Sequence, residues 1–266
     1  MKIMVAVKQV AALDEDFEIG EDGRDVSEDF LIRDLNEWDD FSLEEAVKIK
    51  EASAQAVEVI AVTVAPESAD EALRKCLAKG ADRALRVWDE SAQGSDSIAI
   101  ARILAAVAKA ESVDLVFAGV QSSDHSFAST GIATGALLGW PHAAVVSALD
   151  YSPGSKSAVF RRELEGGLLH EVEIQCPAVL TIQLGINTPR YASLRSIKQA
   201  AAKPIEVKTL SDLSLGKGDV GASGSHSRVR RMYIPDKSRA ELIEGDPAQQ
   251  AQRLAQIIRE FKGDAA

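Results

Sequence analysis

The chain has 266 residues, 46 % of them apolar and 27 % charged, which allows one large domain, or one domain with an appendage, and excludes wholesale disorder. Its net charge of −11 would repel free nucleic acid or an anionic membrane surface, and no apolar run reaches the roughly 18 residues of a membrane-spanning helix. Aromatic residues make up only 5 %, so Val, Ile, Leu and Ala must fill the core.

The opening MKIMVAVKQV holds a β-branched run that reads as a buried strand. It lacks the h-region and small-residue cleavage site of a secretory signal, so a cytoplasmic location is expected. DLNEWDDFSLEEA (34–46) reads as a polar loop leading into a capped helix. In that reading Ser42 and Glu45 form a capping box. Asn36 is placed to hydrogen-bond a ligand, and Asp39 and Asp40 to favour the helix dipole; capping alone is the alternative. VEVIAVTV (57–64) is a second buried strand, and RALRVW (83–88) a shorter, edge-like one. Between them Ser68 and Glu71 repeat the capping device, and Gly80 suits the helix end. SIAIARILAAVAKA (97–110) is apolar on most of its girth, hence a largely buried helix.

DLVFAGV (114–120) is the third strong strand, and GVQSSDHSFASTG follows it. Strands alternating with helices imply a parallel sheet covered on both faces, with ligands beyond the carboxyl ends of the strands. A loop rich in Ser and Gly leading into a helix start offers unpaired backbone N–H groups and a positive dipole end to phosphate. Ser126, Ser129 and Thr130 add hydroxyls, and Gly119 and Gly131 allow close approach. An ordinary polar loop remains the alternative. No GxxxxGK[ST], no GxGxxG after the first strand, no HExxH and no GxSxG occurs. A monophosphate that is held therefore fits better than a triphosphate that is cleaved.

After residue 150, AVFRRELEGGLLHEVEI reads as a hairpin about Gly166 and Gly167, and AVLTIQLGI (178–186) as another strand. In YASLRSIK (191–198), Leu194 stands among polar and cationic residues, where a partner pocket that buried it would gain ~1.5–3 kcal/mol. LGKGDVGASGSHS (215–227) has the composition of a flexible linker. Beyond it, RVRR (228–231) is either a solvated stretch or a dock for an acidic subunit, and Leu254, Ile257, Ile258 and Phe261 share one face of a final amphipathic helix. Cys76 and Cys176 have no spacing that suits zinc and read as buried thiols.

AVKQV, AKGADRALRVW, AGVQSSDHSFASTG, the long stretch from Arg161 to Ile205, and SRVRRMYIPDKSRAELIEG together resemble the β subunits of electron transfer flavoproteins over nearly the whole chain. LNEWDDFSLEEA, GVQSSD and RVRRMYIP are similar to the branch that serves trimethylamine dehydrogenase in methylotrophic bacteria. The resemblance implies a Rossmann-like α/β, parallel-sheet, adenine-nucleotide-binding domain (1–214) that contains a partner-recognition loop (187–204), a linker (215–227) and a C-terminal arm (228–266) docking on an α subunit. It implies an electron carrier, not an enzyme with its own turnover, that takes electrons from a flavoprotein dehydrogenase and passes them to the respiratory chain. It also implies a structural AMP in this chain and an FAD held mainly by the α subunit. By position, the cofactor-binding residues would be Ala6, Asn36, Glu37, Trp38, Asp39, Val64, Gly119, Val120, Gln121, Ser122, Ser123, Asp124, His125, Ser126, Phe127, Ala128, Ser129 and Thr130. Tyr191 and Leu194 would recognise the partner, and no metal site is implied. A bifurcating flavoprotein with a second FAD, and a stand-alone nucleotide-binding stress-type protein, are the alternative readings.

Overall fold

The N-terminal run becomes β1 (Lys2–Ala6), followed by β2 (Gln9–Leu13) and β3 (Leu31–Leu35), an antiparallel pair that stands outside the main sheet. The computed structural model of the chain describes residues 1–13, 17–27, 31–235, 240 and 242–263. Alternation then sets in with α1 (Glu37–Ala52), β4 (Glu58–Val64), α2 (Asp70–Ala78), β5 (Arg83–Val87), α3 (Ser97–Glu111), β6 (Leu115–Gly119) and α4 (Thr130–Leu138). Three antiparallel neighbours follow, β7 (His142–Asp150), β8 (Ser157–Glu163) and β9 (Leu169–Gln175). The chain returns to the sheet centre as β10 (Ala178–Ile182), and α5 (Leu194–Ala202), β11 (Glu206–Lys208) and the single turn α6 (Gly221–Gly224) complete the unit Met1–Arg231. A second unit, Met232–Ala266, carries α7 (Pro247–Gly263).

Nine strands lie in the order β11-β5-β4-β1-β6-β10-β7-β8-β9, parallel from β11 to β7 and antiparallel beyond. This is the Rossmann-like α/β class that the alternating pattern implies. The central strands are continuous apolar runs because helices cover both faces. Period-two alternation sorts their side chains. Ile3 and Val5 of β1 join Val59 and Phe117 against Leu43, Val47 and Leu73 of α1 and α2. Met4 and Ala6 join Ile60 and Val116 against Ile103, Leu104 and Val107 of α3. The chain builds outward from β1 to β4 and β5, then crosses to place β6 on the other side of β1. The switch point therefore lies between the carboxyl ends of β1 and β6.

Several local expectations are corrected. Helix α1 starts at Glu37, because the Asn36 carbonyl already accepts from the amides of Asp39 and Asp40 at 3.1 and 3.2 Å. Ser42 is consequently a mid-helix residue whose hydroxyl donates to the Trp38 carbonyl at 2.9 Å, and it caps nothing. Neither α2 nor the 3-10 turn Glu67–Ala69 before it has a side-chain cap. Strand β5 is not an edge, since β11 pairs outside it.

The Gly/Ser stretch 215–227 is folded rather than slack. Val220 is fully buried, and Arg102 of α3 donates to the carbonyls of Asp219 and Gly224 at 2.9 and 2.6 Å. At Gly221, φ is +64° and a Cβ would collide with the Ser91 carbonyl, so glycine here serves close packing. Asp96 closes the arrangement. One carboxylate oxygen caps α3 by accepting from Ile98 and Ala99 at 3.0 and 2.9 Å, and the other accepts from the amides of His226 and Ser227 at 2.7 and 2.9 Å. Burial raises the Asp96 pKa, but these donors outweigh it and hold the carboxyl below its ordinary value.

Asp96→Ala removes a helix cap and the fastening of residues 226–227 together. The expected loss is about 2–4 kcal/mol of unfolding free energy in urea titration. A change under about 0.5 kcal/mol would show that other contacts hold the segment.

Candidate functional site

Strands β1, β4 and β6 end at Ala6, Val64 and Gly119, which brings three of the predicted site residues to one edge of the sheet. The first turn of α1 lies directly over the gap between β1 and β6. Asp39, only 4 % exposed, accepts from the Lys8 amide through Oδ2 at 2.7 Å and from the Gly119 amide through Oδ1 at 3.0 Å. One carboxylate thus pins the ends of both diverging strands. Desolvation pushes its pKa up to about 7, against the pull of the donated hydrogen bonds and of Lys8.

Asn36, 2 % exposed, extends the clamp. Its amide nitrogen donates to the Gln121 carbonyl at 2.9 Å, its side-chain oxygen accepts from the Ser123 amide at 3.2 Å, and its backbone N–H donates to the Lys8 carbonyl at 2.9 Å. The side chains expected to meet a ligand or the helix dipole are thus spent on the protein's own backbone. Asp40 is engaged elsewhere, as the partner of Lys79 at 2.6 Å. Glu37 is exposed, and Trp38 donates from Nε1 to Gln183 Oε1 at 3.1 Å.

The loop from Val120 to Ser129 curls over this clamp. Ser126 and Ala128, with φ of +52° and +50°, are left-handed non-glycine residues on either side of Phe127. The rings of His125 and Phe127 stack with centroids 5.5 Å apart. Lys8 reaches into the loop from the end of β1, and its ammonium contacts both oxygens of Asp124 at 2.6 and 2.7 Å, Ser122 Oγ at 3.3 Å and His125 Nδ1 at 2.9 Å. Burial raises the Asp124 pKa, yet Lys8 and Ser122 bring it below the ordinary value, so the pair is ionic. Lys8 was not among the predicted site residues. A lone cation directly after a buried strand was the signal for it.

At Gly119 and Gly131 the space a side chain would need is filled by the protein itself. A Cβ at Gly119 would lie 2.5 Å from both Trp38 Cβ and Asp39 Oδ1, and one at Gly131 would lie 2.5 Å from Thr181 Cγ2. These glycines let α1 and α4 approach the sheet. At the start of α4 the N-cap residue Ser129 makes no side-chain cap. The Ser129 hydroxyl instead donates to Ser97 Oγ at 2.8 Å, which sets the starts of α3 and α4 side by side. Asp96 caps the first of these helices, and among the described residues no side chain caps the second.

Away from this site, residues 187–193 form a loop against the outer face of α1. Asn187 donates to the Phe41 carbonyl at 3.0 Å and to Glu45 Oε2 at 2.9 Å. Arg190 forks onto two carboxylates of α1, Glu44 at 2.8 and 3.0 Å and Glu51 at 2.6 and 2.9 Å. Ser193 caps α5 by accepting from the Ser196 amide at 3.1 Å. Between these fastenings Tyr191 and Leu194 stand 98 and 81 % exposed. Glu44 and Glu51, two helical turns apart, were legible as one face of α1, but nothing local linked them to Arg190.

In the second unit, Leu254, Ile258 and Phe261 of α7 are exposed. Residues 236–239, 241 and 264–266 of the expected arm lie outside the described residues. Among the described residues, no group of three or more His, Cys, Asp or Glu side chains is arranged to hold a metal ion, and no helix is long and apolar enough to cross a membrane.

Residues 31–213 match the family described as electron transfer flavoprotein domain. The chain is 68 % identical over 263 residues to the electron transfer flavoprotein subunit beta of Methylophilus methylotrophus, covering 99 % of this chain and 100 % of that one. It is 38 % identical to the mitochondrial subunit beta of Arabidopsis thaliana, over 83 % of this chain and 86 % of that one. With the Homo sapiens subunit beta it shares 36 % identity, over 81 % of this chain and 84 % of that one.

Asp39 supplies a pH signature. Its acid form is favoured by the fold, so its contribution is fully present below the unfolded value near about 4 and is lost as pH rises through about 7. The stability of the wild type minus that of Asp39→Asn should therefore fall between about pH 4 and pH 8 in urea titrations. A difference that is flat or rises with pH would contradict the buried-acid description.

Proposed function

The chain belongs to the electron transfer flavoprotein family, as a β subunit, and on that footing we propose the specific role of its switch-point site. The protein carries electrons rather than turning over a substrate of its own. In the proposal it pairs with an α subunit, holds one AMP at the switch point and borders an FAD held mainly by its partner. It takes electrons from a flavoprotein dehydrogenase of the trimethylamine dehydrogenase type and delivers them to the respiratory chain. The two unpaired thiols suit a reducing cytoplasm.

The observation that carries the AMP reading is the contrast between the adjacent helix starts. The first turn of α3 is satisfied by Asp96, whereas α4 has no side-chain cap. An uncapped first turn has orphan N–H groups and a dipole worth ~0.3–2 kcal/mol to an anion. One such turn suits one phosphate. The cation that enters the preceding loop is already neutralised, since Lys8 is paired with Asp124. The backbone of residues 129–131 would hold the phosphate, and the ends of β1 and β4 at Ala6 and Val64 would border the nucleoside. FAD, when bound, accepts and releases electrons one at a time. This chain's part is to fix a rigid frame beside it and to present a docking surface to the donor. Leu194 and Tyr191, exposed on a fastened loop, suit that docking role. The exposed apolar face of α7 suits burial against the α subunit.

Ser129→Asp tests the phosphate site without unfolding it. Aspartate is a good N-cap, so it would satisfy the α4 amides itself and repel a phosphate. The heterodimer should keep its FAD and thermal stability while AMP content falls to less than about a tenth of the wild-type level. AMP retained at full occupancy would remove the site assignment.

Leu194→Ala tests docking. Loss of a buried leucine contact should lower the second-order rate of reduction by trimethylamine dehydrogenase by about tenfold, equivalent to ~1.5 kcal/mol. FAD and AMP contents should not change. An unaltered rate with the physiological donor would reject Leu194 as the anchor.

A further inference from the structure

Tyr191 and Leu194 are almost wholly exposed, yet the chain on either side of them is tied down. An exposed apolar side chain on a mobile loop would lose much of its binding energy to ordering. Here the ordering is done in advance. Arg190 immediately precedes Tyr191, and its guanidinium donates through Nε and Nη2 to Glu44 and through Nη1 and Nη2 to Glu51. Its own backbone N–H donates to Glu44 Oε2 at 3.1 Å, so one carboxylate holds both the side chain and the main chain of the loop. A planar fork held by two carboxylates fixes orientation in a way that a single ammonium cannot. Downstream, Arg74 of α2 donates to the carbonyls of Ala200 and Lys203 and fixes the far end of α5.

We propose that Arg190, clamped on Glu44 and Glu51 of α1, is the positioning residue that preorganises Tyr191 and Leu194 for the donor dehydrogenase. The proposal rests on the docking role assigned above to this loop and adds the device that makes the loop work. Arg190 is the rivet rather than the contact: its donors are turned to α1, while the side chains that follow it face solvent. The anchoring helix is the same one whose first turn holds the switch point through Asn36 and Asp39. The docking loop and the nucleotide loop are thereby fastened to one rigid element.

Two measurements on the intact heterodimer test this, with trimethylamine dehydrogenase as the probe. Variants Arg190→Ala and the double Glu44→Gln, Glu51→Gln remove the fork from opposite sides. In each, amide hydrogen exchange over residues 190–194 should rise at least about tenfold, with exchange in β1, β4 and β6 unchanged. The second-order rate of reduction should fall about tenfold, while the rate at saturating donor stays within about twofold. Arg190→Lys should recover only part of the loss. Combined with Arg190→Ala, Leu194→Ala should cost much less than it does alone, because an anchor on a loosened loop has little left to lose. Unchanged exchange in the loop overturns the rivet. Raised exchange with an unchanged second-order rate overturns its role in docking. If Leu194→Ala alone also leaves that rate unchanged, the docking reading falls with it. A lower saturating rate with undisturbed affinity overturns the proposal by placing Arg190 in the transfer step.

Discussion

Two amide hydrogens at the sheet's switch point, on Lys8 and Gly119, need one acceptor between them, and Asp39 supplies it. When β1 and β6 part company their terminal N–H groups lose ladder partners, and a buried donor without a partner costs about 1–3 kcal/mol. The carboxylate at the first turn of α1 satisfies both. That requirement dictates much else. It brings the start of α1 against Gly119, where no side chain fits. It explains why the helix begins at Glu37 and not at the apparent capping box five residues on. It also sets Asn36 where its amide holds the backbone of Gln121 and Ser123.

The consequence is a loop fixed from beneath by the protein's own polar groups, leading into a helix whose N-cap residue makes no side-chain cap. The buried polar side chains there, Asn36 and Asp39, are occupied by the chain's own backbone. Helix α1 transmits the same rigidity to its outer face, where Glu44 and Glu51 receive Arg190. A carrier that must meet one protein, exchange electrons and leave for another gains from a small anchor on a stiff support. In the proposed docking role such an anchor gives orientation at little cost in ordering, and its small size keeps release fast.

The central architecture was legible because burial on both faces forces β1, β4 and β6 to be unbroken apolar runs. The hairpin of β8 and β9 announced itself through Gly166 and Gly167. The loop after β6 was legible as a strand end, a polar stretch and a helix start. Less legible was whatever depends on partners distant in sequence. Ser42 and Glu45 match a capping box locally, but the tertiary hydrogen bonds of Asn36 and Asp39 overrule them. The Gly/Ser stretch 215–227 has a linker's composition, yet Gly221 is there because a side chain would strike the Ser91 carbonyl. Composition does not distinguish a glycine needed for slack from one needed for close approach. The Asp39 clamp joins residues about 80 apart, and the Arg190 fork nearly 150 apart. No local pattern encodes either.

The proposed role of the switch point is to hold a single adenine monophosphate for support, with no part in redox chemistry. The most direct test is to denature the purified heterodimer, separate the released nucleotides by chromatography, and determine flavin by absorbance and phosphorus by analysis. About one AMP and about one FAD per heterodimer are expected. Two FAD and no AMP would contradict that role, and would make the switch point a second redox centre.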